Sequence, residues 1–483
     1  MTTDGLSYWQ AESEGIELLD TTIGDLLDRR AEELPTQEAV VYSCYPEFGD
    51  AFNIRWTYQE YRDRANDVAK GLMALGLHKG DHIAVWAVNL PEWLLLEMAA
   101  AKAGLVLVTV NPVLRAHEVE YILKQGDVRA LFFMAQIRDH DCLATVRSMT
   151  TPGGQHGAVS SERLPMLRYV SLLGAPPAGL LEQDGWRPTL FQEMVADGRQ
   201  VSEEERSARQ ASVKPRDPAQ IQYTSGTTGF PKGAILHHHG ILNNAMLFAQ
   251  RWGLRQSDRY CNPMPLFHTA GCVVAVLGSL YTGSTLHPLL AFDPAKALQI
   301  IGHEGCTTLV AVPTMLLAML QHPDFATYDL TSLSCVGTGG TPVPVYLMEQ
   351  VKERMEADVC IVFGQTETSP IITQTLPSDP FDLKAATVGI PLPHTEVKII
   401  HPATGEIVPC GERGELCCRG YLVMVGYYHM PEKTAQAIDA RGGCTRATWR
   451  RWMLTGMSTS WAGSKTWSFA AAKTSSRRRS RSS

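Results

Sequence analysis

Short apolar runs alternate with amphipathic segments along most of this chain, and that alternation restricts its fold more than any other feature. The run His82-Ile83-Ala84-Val85-Trp86 and the run from Gly104 through Leu105 to Val110 offer no polar face. Each reads as a strand covered on both sides. Between them, Pro91 to Lys102 reads as a helix. Two strands joined through a helix require a crossover, so the sheet is expected to be parallel and helix-covered. The same unit recurs as helix 116–125 before strand 129–134, helix 294–303 before strand 307–311, and helix 345–355 before strand 357–362. Upstream, Thr57 and Glu60 stand at capping-box spacing at the head of a helix that Leu72, Leu75 and Leu77 close before Gly80. Thr151-Pro152-Gly153-Gly154 reads as a surface loop. Residues 385–428 shift to short β-like runs with Gly and Pro turns, which predicts a smaller β-rich subdomain. No internal repeat is present.

Composition narrows the class. At 483 residues the length suits about three domains or subdomains. The 45% apolar and 19% charged content excludes a disordered chain, a collagen and a coiled coil. A net charge of -7 carries no nucleic-acid signature. The 11 cysteines, from Cys44 to Cys444, form no CxxC pair and no metal-ligand spacing, so they read as reduced and mostly buried. Cys417 and Cys418 are adjacent, and on a strand they would face opposite sides. Met1-Thr2-Thr3-Asp4 does not open a signal peptide. Thr269 to Leu286 is the most apolar stretch and reads as a buried helix, turn and strand rather than a membrane span. The expectation is a soluble cytoplasmic protein with no transmembrane segment and no nucleic-acid partner.

Four segments carry chemistry. Tyr223-Thr224-Ser225-Gly226-Thr227-Thr228-Gly229-Phe230-Pro231-Lys232-Gly233 follows an apolar lead-in. Its hydroxyls and backbone N–H groups can converge on an anion, glycine permits close approach, and Lys232 supplies a point charge for phosphate. It is not a Walker A loop, because Pro231 and Gly233 stand where Gly and Ser or Thr belong. Phe363-Gly364-Gln365-Thr366-Glu367-Thr368 follows the strand-like Val359 to Val362, so it would lie at a strand's carboxyl end, where α/β sheets bind ligands. A hydroxyl beside a carboxylate there suits phosphate and Mg2+. Gly337-Thr338-Gly339-Gly340-Thr341-Pro342 reads as a tight loop able to bind a base or ribose. Pro263-Met264-Pro265-Leu266-Phe267-His268 ends in a lone histidine. Taken singly, the first two segments equally fit a solvated loop and an exposed turn, while the third reads better as a plain turn and the fourth as a structural histidine. His237-His238-His239 alternate faces on a strand and are a poor metal site.

In order and spacing the four segments together resemble the adenylate-forming acyl-CoA synthetases, the AMP-binding superfamily, and within it the medium- to long-chain fatty-acid:CoA ligases. Val110-Asn111-Pro112, Leu236-His237-His238 and Gly426-Tyr427-Tyr428 also fit, and the resemblance covers about residues 20 to 440. It implies an α/β fold: the large N-terminal domain of these enzymes, with two helix-covered, mainly parallel sheet subdomains in 20–384 and a β-rich subdomain in 385–440. It also implies two steps. A carboxylate attacks the α-phosphate of Mg-ATP, giving an acyl-adenylate and pyrophosphate, and the thiol of coenzyme A then takes the acyl group. On this resemblance Thr224, Ser225, Gly226, Thr227, Thr228, Gly229 and Lys232 would hold the outer phosphates, and Thr366 the α-phosphate. Glu367 would hold Mg2+. Gly339, Gly340 and Thr341 would line the adenine, with Phe363, Gly364 and Gln365 beside them, and His268 would approach the substrate carboxylate. Lys232, His268, Thr366 and Glu367 are the implied catalytic set. Phe267, Ala270, Gly271 and Val274 would wall an acyl pocket beside helix 240–252. The implied substrates are a fatty acid, ATP and coenzyme A; a homo-oligomer fits equally. Other readings are an aryl-acid:CoA ligase, a carrier-protein loading enzyme, and an inactive remnant that binds nucleotide or acyl chain.

The pattern breaks after Asp439-Ala440. Residues 441–483 hold eight Arg, two Lys, nine Ser and four of the ten Trp, with no acidic residue, so they carry +10 against -17 for residues 1–440. The family's next motifs, Asp-Gly-Trp-Leu-His-Thr-Gly-Asp-Leu, Gly-Arg-x-Lys-Asp-Met and Arg-Gly-Gly-Glu-Asn-Ile, are absent. GC-rich codons for such motifs, read one nucleotide downstream, reproduce Gly443 to Arg450 and Gly463 to Thr474. The expectation is a frameshift near residue 441, with 441–483 an out-of-frame, disordered basic tail. The alternative is a natural basic tail for acidic partners. A frameshift would remove the small C-terminal domain, its adenylation lysine and the ribose-binding aspartate, crippling catalysis and baring a hydrophobic sheet edge.

Overall fold

The parallel strands form two sheets. In the computed structural model, which describes residues 5–49, 52–154, 157–176, 186–224, 230–439, 449–452, 457–458 and 468–469, the first sheet has eight strands. Their order is Thr189–Leu190, Tyr169–Leu173, Val128–Met134, His82–Trp86, Val106–Val110, Pro218–Thr224, Lys232–His237, Gly426–Tyr427. The first six pair in parallel and the last two join antiparallel. The second sheet has nine strands, with Asp358–Gly364, Cys335–Gly339, Thr308–Val310, Arg259–Asn262, Thr285–Pro288 and Glu38–Tyr42 parallel in that order. Antiparallel strands close both edges: Ile371–Gln374 and Ile390–Pro391 at one, Ile54–Thr57 at the other.

Strand His82–Trp86 shows why its sequence is apolar throughout. Ile83 and Val85 enter a core shared with the second sheet, while Ala84 and Trp86 enter a separate core on the outer face. The helices Pro91–Ala103 and His238–Trp252 lie in the shared core and are buried almost all round, as helices covered on every side must be. The capping box is present: Thr57 Oγ1 accepts from the Glu60 N–H at 3.2 Å, and Glu60 Oε2 accepts from the Thr57 N–H at 2.9 Å, opening helix Tyr58–Ala74.

A third sheet is antiparallel and contains Thr395–Ile400 and Glu415–Gly420, the β-rich region read from the sequence. It also takes in Tyr8–Gln10, whose strand pairs with Thr395–Ile400 through Tyr8↔Lys398. Trp449–Trp452 pairs antiparallel with Glu415–Gly420, so that edge carries a backbone partner where a bare edge was expected. Cys417 and Cys418 face opposite sides, entering different clusters. Thr151–Pro152 is a short strand paired with Val159–Ser160 rather than a plain loop. The apolar stretch after Thr269 is helix, turn and strand, but its first eight residues, Ala270–Leu277, are a π-helix. Wide i→i+5 turns of that length are rare and concentrate at functional sites. Among the described residues, no helix is long and apolar enough to cross a membrane.

Candidate active site

Thr224 ends strand Pro218–Thr224 and pairs in register with Lys232, the first residue of the next strand. The loop between them carries the expected Ser225, Gly226, Thr227, Thr228 and Gly229, which lie outside the described residues. Its stem is anchored. Tyr121 Oη donates to the Pro231 carbonyl at 3.1 Å, the Tyr121 ring stacks on Phe230 at 5.0 Å, and Tyr223 Oη donates to Gln125.

The strand Asp358–Gly364 runs in register beside Cys335–Gly339, with Gly339 opposite Val362. A side chain on Gly339 would collide with the Val362 carbonyl, and one on Gly364 with the Pro370 carbonyl. Gly340 adopts φ +77°, the left-handed region that glycine tolerates, and turns the chain outward at exposed Thr341. Both glycine loops therefore leave the same sheet end together, with Phe363, Gly364, Gln365 and Thr366 half-buried beside them.

Thr366–Thr368 is one 3-10 turn. Thr368 Oγ1 lies 2.8 Å from the Gln365 carbonyl and 2.7 Å from the Pro370 carbonyl, and the Gln365 N–H donates to Pro370 O at 2.8 Å. Asn244, on the buried helix His238–Trp252, accepts from the Ile371 N–H at 2.9 Å and donates to the Ile371 carbonyl at 2.8 Å. These bonds hold Glu367 at 5% exposure. Tyr427 Oη donates to Glu367 Oε1 at 2.6 Å, and the Lys232 ammonium stands 4.6 Å from the centre of the same tyrosine ring. Lys232, Tyr427 and Glu367 thus meet across the gap between the two large sheets.

The donor set fits Mg2+. Glu367 is a nearly buried carboxylate that follows Thr366 in the chain, both bear hard oxygen donors, and the Lys232 ammonium stands on the same tyrosine ring.

His268 ends the loop that leaves strand Arg259–Asn262. Asn89 shapes this loop, donating to the Met264 carbonyl at 3.1 Å and accepting from the Leu266 N–H at 2.8 Å. His268 Nδ1 accepts from the Ala270 N–H at 3.1 Å, which places the neutral ring's proton on Nε2. The ring keeps contact with solvent, yet surrounding protein desolvates it and lowers its pKa below the usual histidine value.

Phe267 and Ala270 are half-buried, and Gly271 and Val274 are buried in the π-helix. A side chain on Gly271 would strike the Pro265 carbonyl, so this glycine lets the π-helix pack on the His268 loop. The three histidines form the strand-to-helix junction: His237 Nδ1 caps the helix by accepting from the Gly240 N–H at 2.7 Å, and His238 Nδ1 faces the Ile23 N–H at 3.4 Å.

Sequence reasoning gave no role to Tyr427 or to a buried polar chain behind the π-helix. In that chain Glu97 accepts from Gln220 at 2.7 Å, Gln220 from Gln222 at 2.8 Å, and Gln222 donates to Cys272 Sγ at 3.0 Å. The alternation Gln220-Ile221-Gln222 was the available signal, because polar residues two apart on an otherwise buried strand must find partners on one face.

Two parallel sheets with glycine and hydroxyl loops at one shared end define the large domain of the adenylate-forming enzymes. The chain belongs to that class: residues 27–428 match the AMP-binding enzyme family. It is 42% identical over 443 residues to YngI of Bacillus subtilis (strain 168), assigned by name to the acyl-CoA synthetases, covering 91% of this chain and 76% of that protein. It is 36% identical over 444 residues to the mitochondrial medium-chain acyl-CoA ligase ACSF2 of Mus musculus, covering 90% of this chain and 69% of that one. Among solved structures, the N-terminal domain of FACL13 from Mycobacterium tuberculosis superposes with a TM-score of 0.70 at 27% identity, covering 89% of this chain and 95% of that one. The anthranilate CoA ligase AuaEII, solved with anthranoyl-AMP, shares the fold with a TM-score of 0.77 at 24% identity, over 95% of this chain and 79% of that one.

Proposed function

We propose that this site joins a fatty acid to ATP, releasing pyrophosphate and forming an acyl-adenylate, and is built to pass the acyl group to coenzyme A. The observation that carries the reading is the meeting of Lys232 and Glu367 on Tyr427, beside Thr366 and the Gly339–Gly340 loop. An anionic carboxylate must approach an anionic phosphate, so the protein's task is positioning and charge neutralisation. Lys232 supplies a cation for the outer phosphates, with Thr224 at the loop's entry and the loop residues 225–229 around them. Thr366 donates to the α-phosphate. Glu367, with Thr366 beside it, is the holder for Mg2+, which when bound neutralises phosphate charge. Gly339, Gly340 and Thr341, with Phe363, Gly364 and Gln365, bind the adenine side. Neutral His268 offers its Nε2–H to the substrate carboxylate, and Phe267, Ala270, Gly271 and Val274 direct the acyl chain along the π-helix. A medium-length aliphatic acid is the substrate class that the named mammalian relative supports. The cysteines, without a disulfide or metal pattern, favour a cytoplasmic site of action.

The test is calorimetric binding of Mg-ATP to the full chain, then pyrophosphate release with aliphatic and aromatic acids. Lys232→Ala and Glu367→Gln are each expected to weaken Mg-ATP binding at least tenfold. Failure of the unaltered chain to bind ATP, or release driven by aromatic acids alone, overturns the reading. We further infer that residues 441–483 are out-of-frame and that this chain therefore turns over slowly or not at all. Sequencing codons 435–450 from fresh genomic DNA decides the first point. Acid- and coenzyme A-dependent AMP formation at the rate of an intact relative refutes the second.

A further inference from the structure

We propose that Tyr427 is a positioning residue that presets the two charged groups of the nucleotide site, an inference that rests on the ATP reading above. Its backbone is fixed on one side of the cleft. Tyr427 pairs with Ala234 at the edge of the eight-stranded sheet, its N–H donates to Thr434 Oγ1 at 2.9 Å, and the next residue, Tyr428, donates its N–H to the Gly233 carbonyl at 2.8 Å. Its side chain reaches to the other side, where Oη donates to Glu367 Oε1 at 2.6 Å, on the loop that leaves the nine-stranded sheet. The Met424 N–H donates to the Glu367 carbonyl at 3.0 Å, and Ser369 Oγ donates to the Leu422 carbonyl at 2.7 Å, so the chain leading to Tyr427 is tied to the same loop. The ring face meanwhile holds the Lys232 ammonium at 4.6 Å.

The chemistry of this arrangement follows from what a tyrosine can do. A carboxylate and an ammonium brought into one poorly hydrated cleft attract each other, and a closed ion pair would spend both charges on one another. A phenol meets each with a neutral partner: the hydroxyl donates to the carboxylate, and the π face receives the cation. The hydroxyl orients the Glu367 carboxylate and the ring face holds the Lys232 ammonium, so each charged group has Tyr427 as a set partner. A hydroxyl that orients a carboxylate from behind performs the part that outer partners play at metal sites. Tyr427 also spans the two sheets, so one side chain sets the separation between the phosphate lysine and the metal carboxylate.

Two variants separate the two ends of the side chain. Tyr427→Phe keeps the ring under Lys232 and removes the bond to Glu367. Tyr427→Leu removes both. ATP binding to the full chain is measured by calorimetry over a series of Mg2+ concentrations, with thermal melts of each variant without ligand. Tyr427→Phe is expected to raise the half-saturating Mg2+ at least fivefold while leaving ATP affinity at saturating Mg2+ within twofold of the unaltered chain. Tyr427→Leu is expected to weaken ATP at saturating Mg2+ at least fivefold as well. A merely structural tyrosine would lower the melting temperature without moving the Mg2+ dependence. If Tyr427→Phe melts normally and its Mg2+ dependence matches the unaltered chain, the proposal is overturned, whatever Tyr427→Leu does. If the unaltered chain binds no ATP at any Mg2+ concentration, the functional reading falls and this inference with it.

Discussion

Glu304→Gln is expected to destabilise the fold by about 2 kcal/mol at neutral pH. Glu304 closes helix Pro294–Glu304, and its side chain is 4% exposed. It takes Arg55 Nη2 at 2.5 Å and Arg259 Nη2 at 2.7 Å, while Glu38 takes Arg55 Nη1 at 3.0 Å and Arg259 Nη1 at 3.1 Å. Four charges therefore clip the edge hairpin Glu38–Tyr42 and Ile54–Thr57 to the strand that feeds the His268 loop. Burial pushes the Glu304 carboxyl up, but the hydrogen bond from Arg55 and the surrounding charge outweigh it and hold the pKa at about 2, against 4.5 ordinarily. At ~1.4 kcal/mol per pH unit, that difference sets a ceiling of about 3.4 kcal/mol. The Arg55 and Arg259 side chains are 38% and 26% exposed, so water and salt screen the pair and about 2 kcal/mol remains. Because the folded pKa is lowered, the stabilisation is complete above pH 4.5 and is lost as pH falls toward 2. Urea unfolding of both proteins at pH 7, 5, 4 and 3 reads the difference between them, which cancels ionisations common to both. A difference under about 0.5 kcal/mol at pH 7, or one that stays constant below pH 4.5, would falsify the reasoning.

Two further predictions concern the site and its support. In Gly364→Ala the new methyl group overlaps the Pro370 carbonyl, which also accepts from the Gln365 N–H and sits against Thr368 Oγ1. Overpacking together with two strained bonds costs ~2–5 kcal/mol locally, so the variant should lose the thermal stabilisation that Mg-ATP gives the unaltered chain; an unchanged ATP-dependent shift rejects this. Glu97→Gln addresses the buried polar chain, where burial pushes the Glu97 carboxyl well up. A raised folded pKa makes the native state lose stability as pH rises past the ordinary carboxylate value, by up to ~1.4 kcal/mol per pH unit until the folded pKa is reached. Glutamine has no proton to lose, so thermal melts from pH 5 to 9 should show the variant gaining on the unaltered chain; parallel curves would refute it.

Much of the architecture was legible because it rests on local rules. The run His82 to Trp86 read as a doubly covered strand from its apolar residues, and the helix read between it and the next apolar run is Pro91–Ala103, closed by Gly104 at φ +67°. Thr57 and Glu60 announced their helix through two hydrogen bonds made within four residues. The apolar runs before them placed the two glycine segments at strand ends, but the strands run further than read: Gly337, Thr338 and Gly339 belong to strand Cys335–Gly339 rather than to a tight loop, and Phe363 and Gly364 to strand Asp358–Gly364, because ladder pairing continues through them. The π-helix was not legible, because the residues 270–277 are apolar on every side and such a run is the same for either helical pitch; packing of Gly271 on the Pro265 carbonyl accompanies the wider turn. The strand Tyr8–Gln10 was invisible for another reason, since its partner Thr395–Ile400 lies nearly four hundred residues away.

The sequence by itself supplied the candidate groups, Lys232, Thr366, Glu367, His268 and the glycine segments, through the order and spacing of four segments taken together, none of them specific alone. Only the tertiary structure decided how those groups stand toward one another. Tyr427 lies between Lys232 and Glu367 because two sheets, packed on a common layer of buried helices, bring three distant segments to one cleft. Hydrophobic burial sets that approach without regard to which polar side chains meet, so no periodicity or motif can announce the meeting.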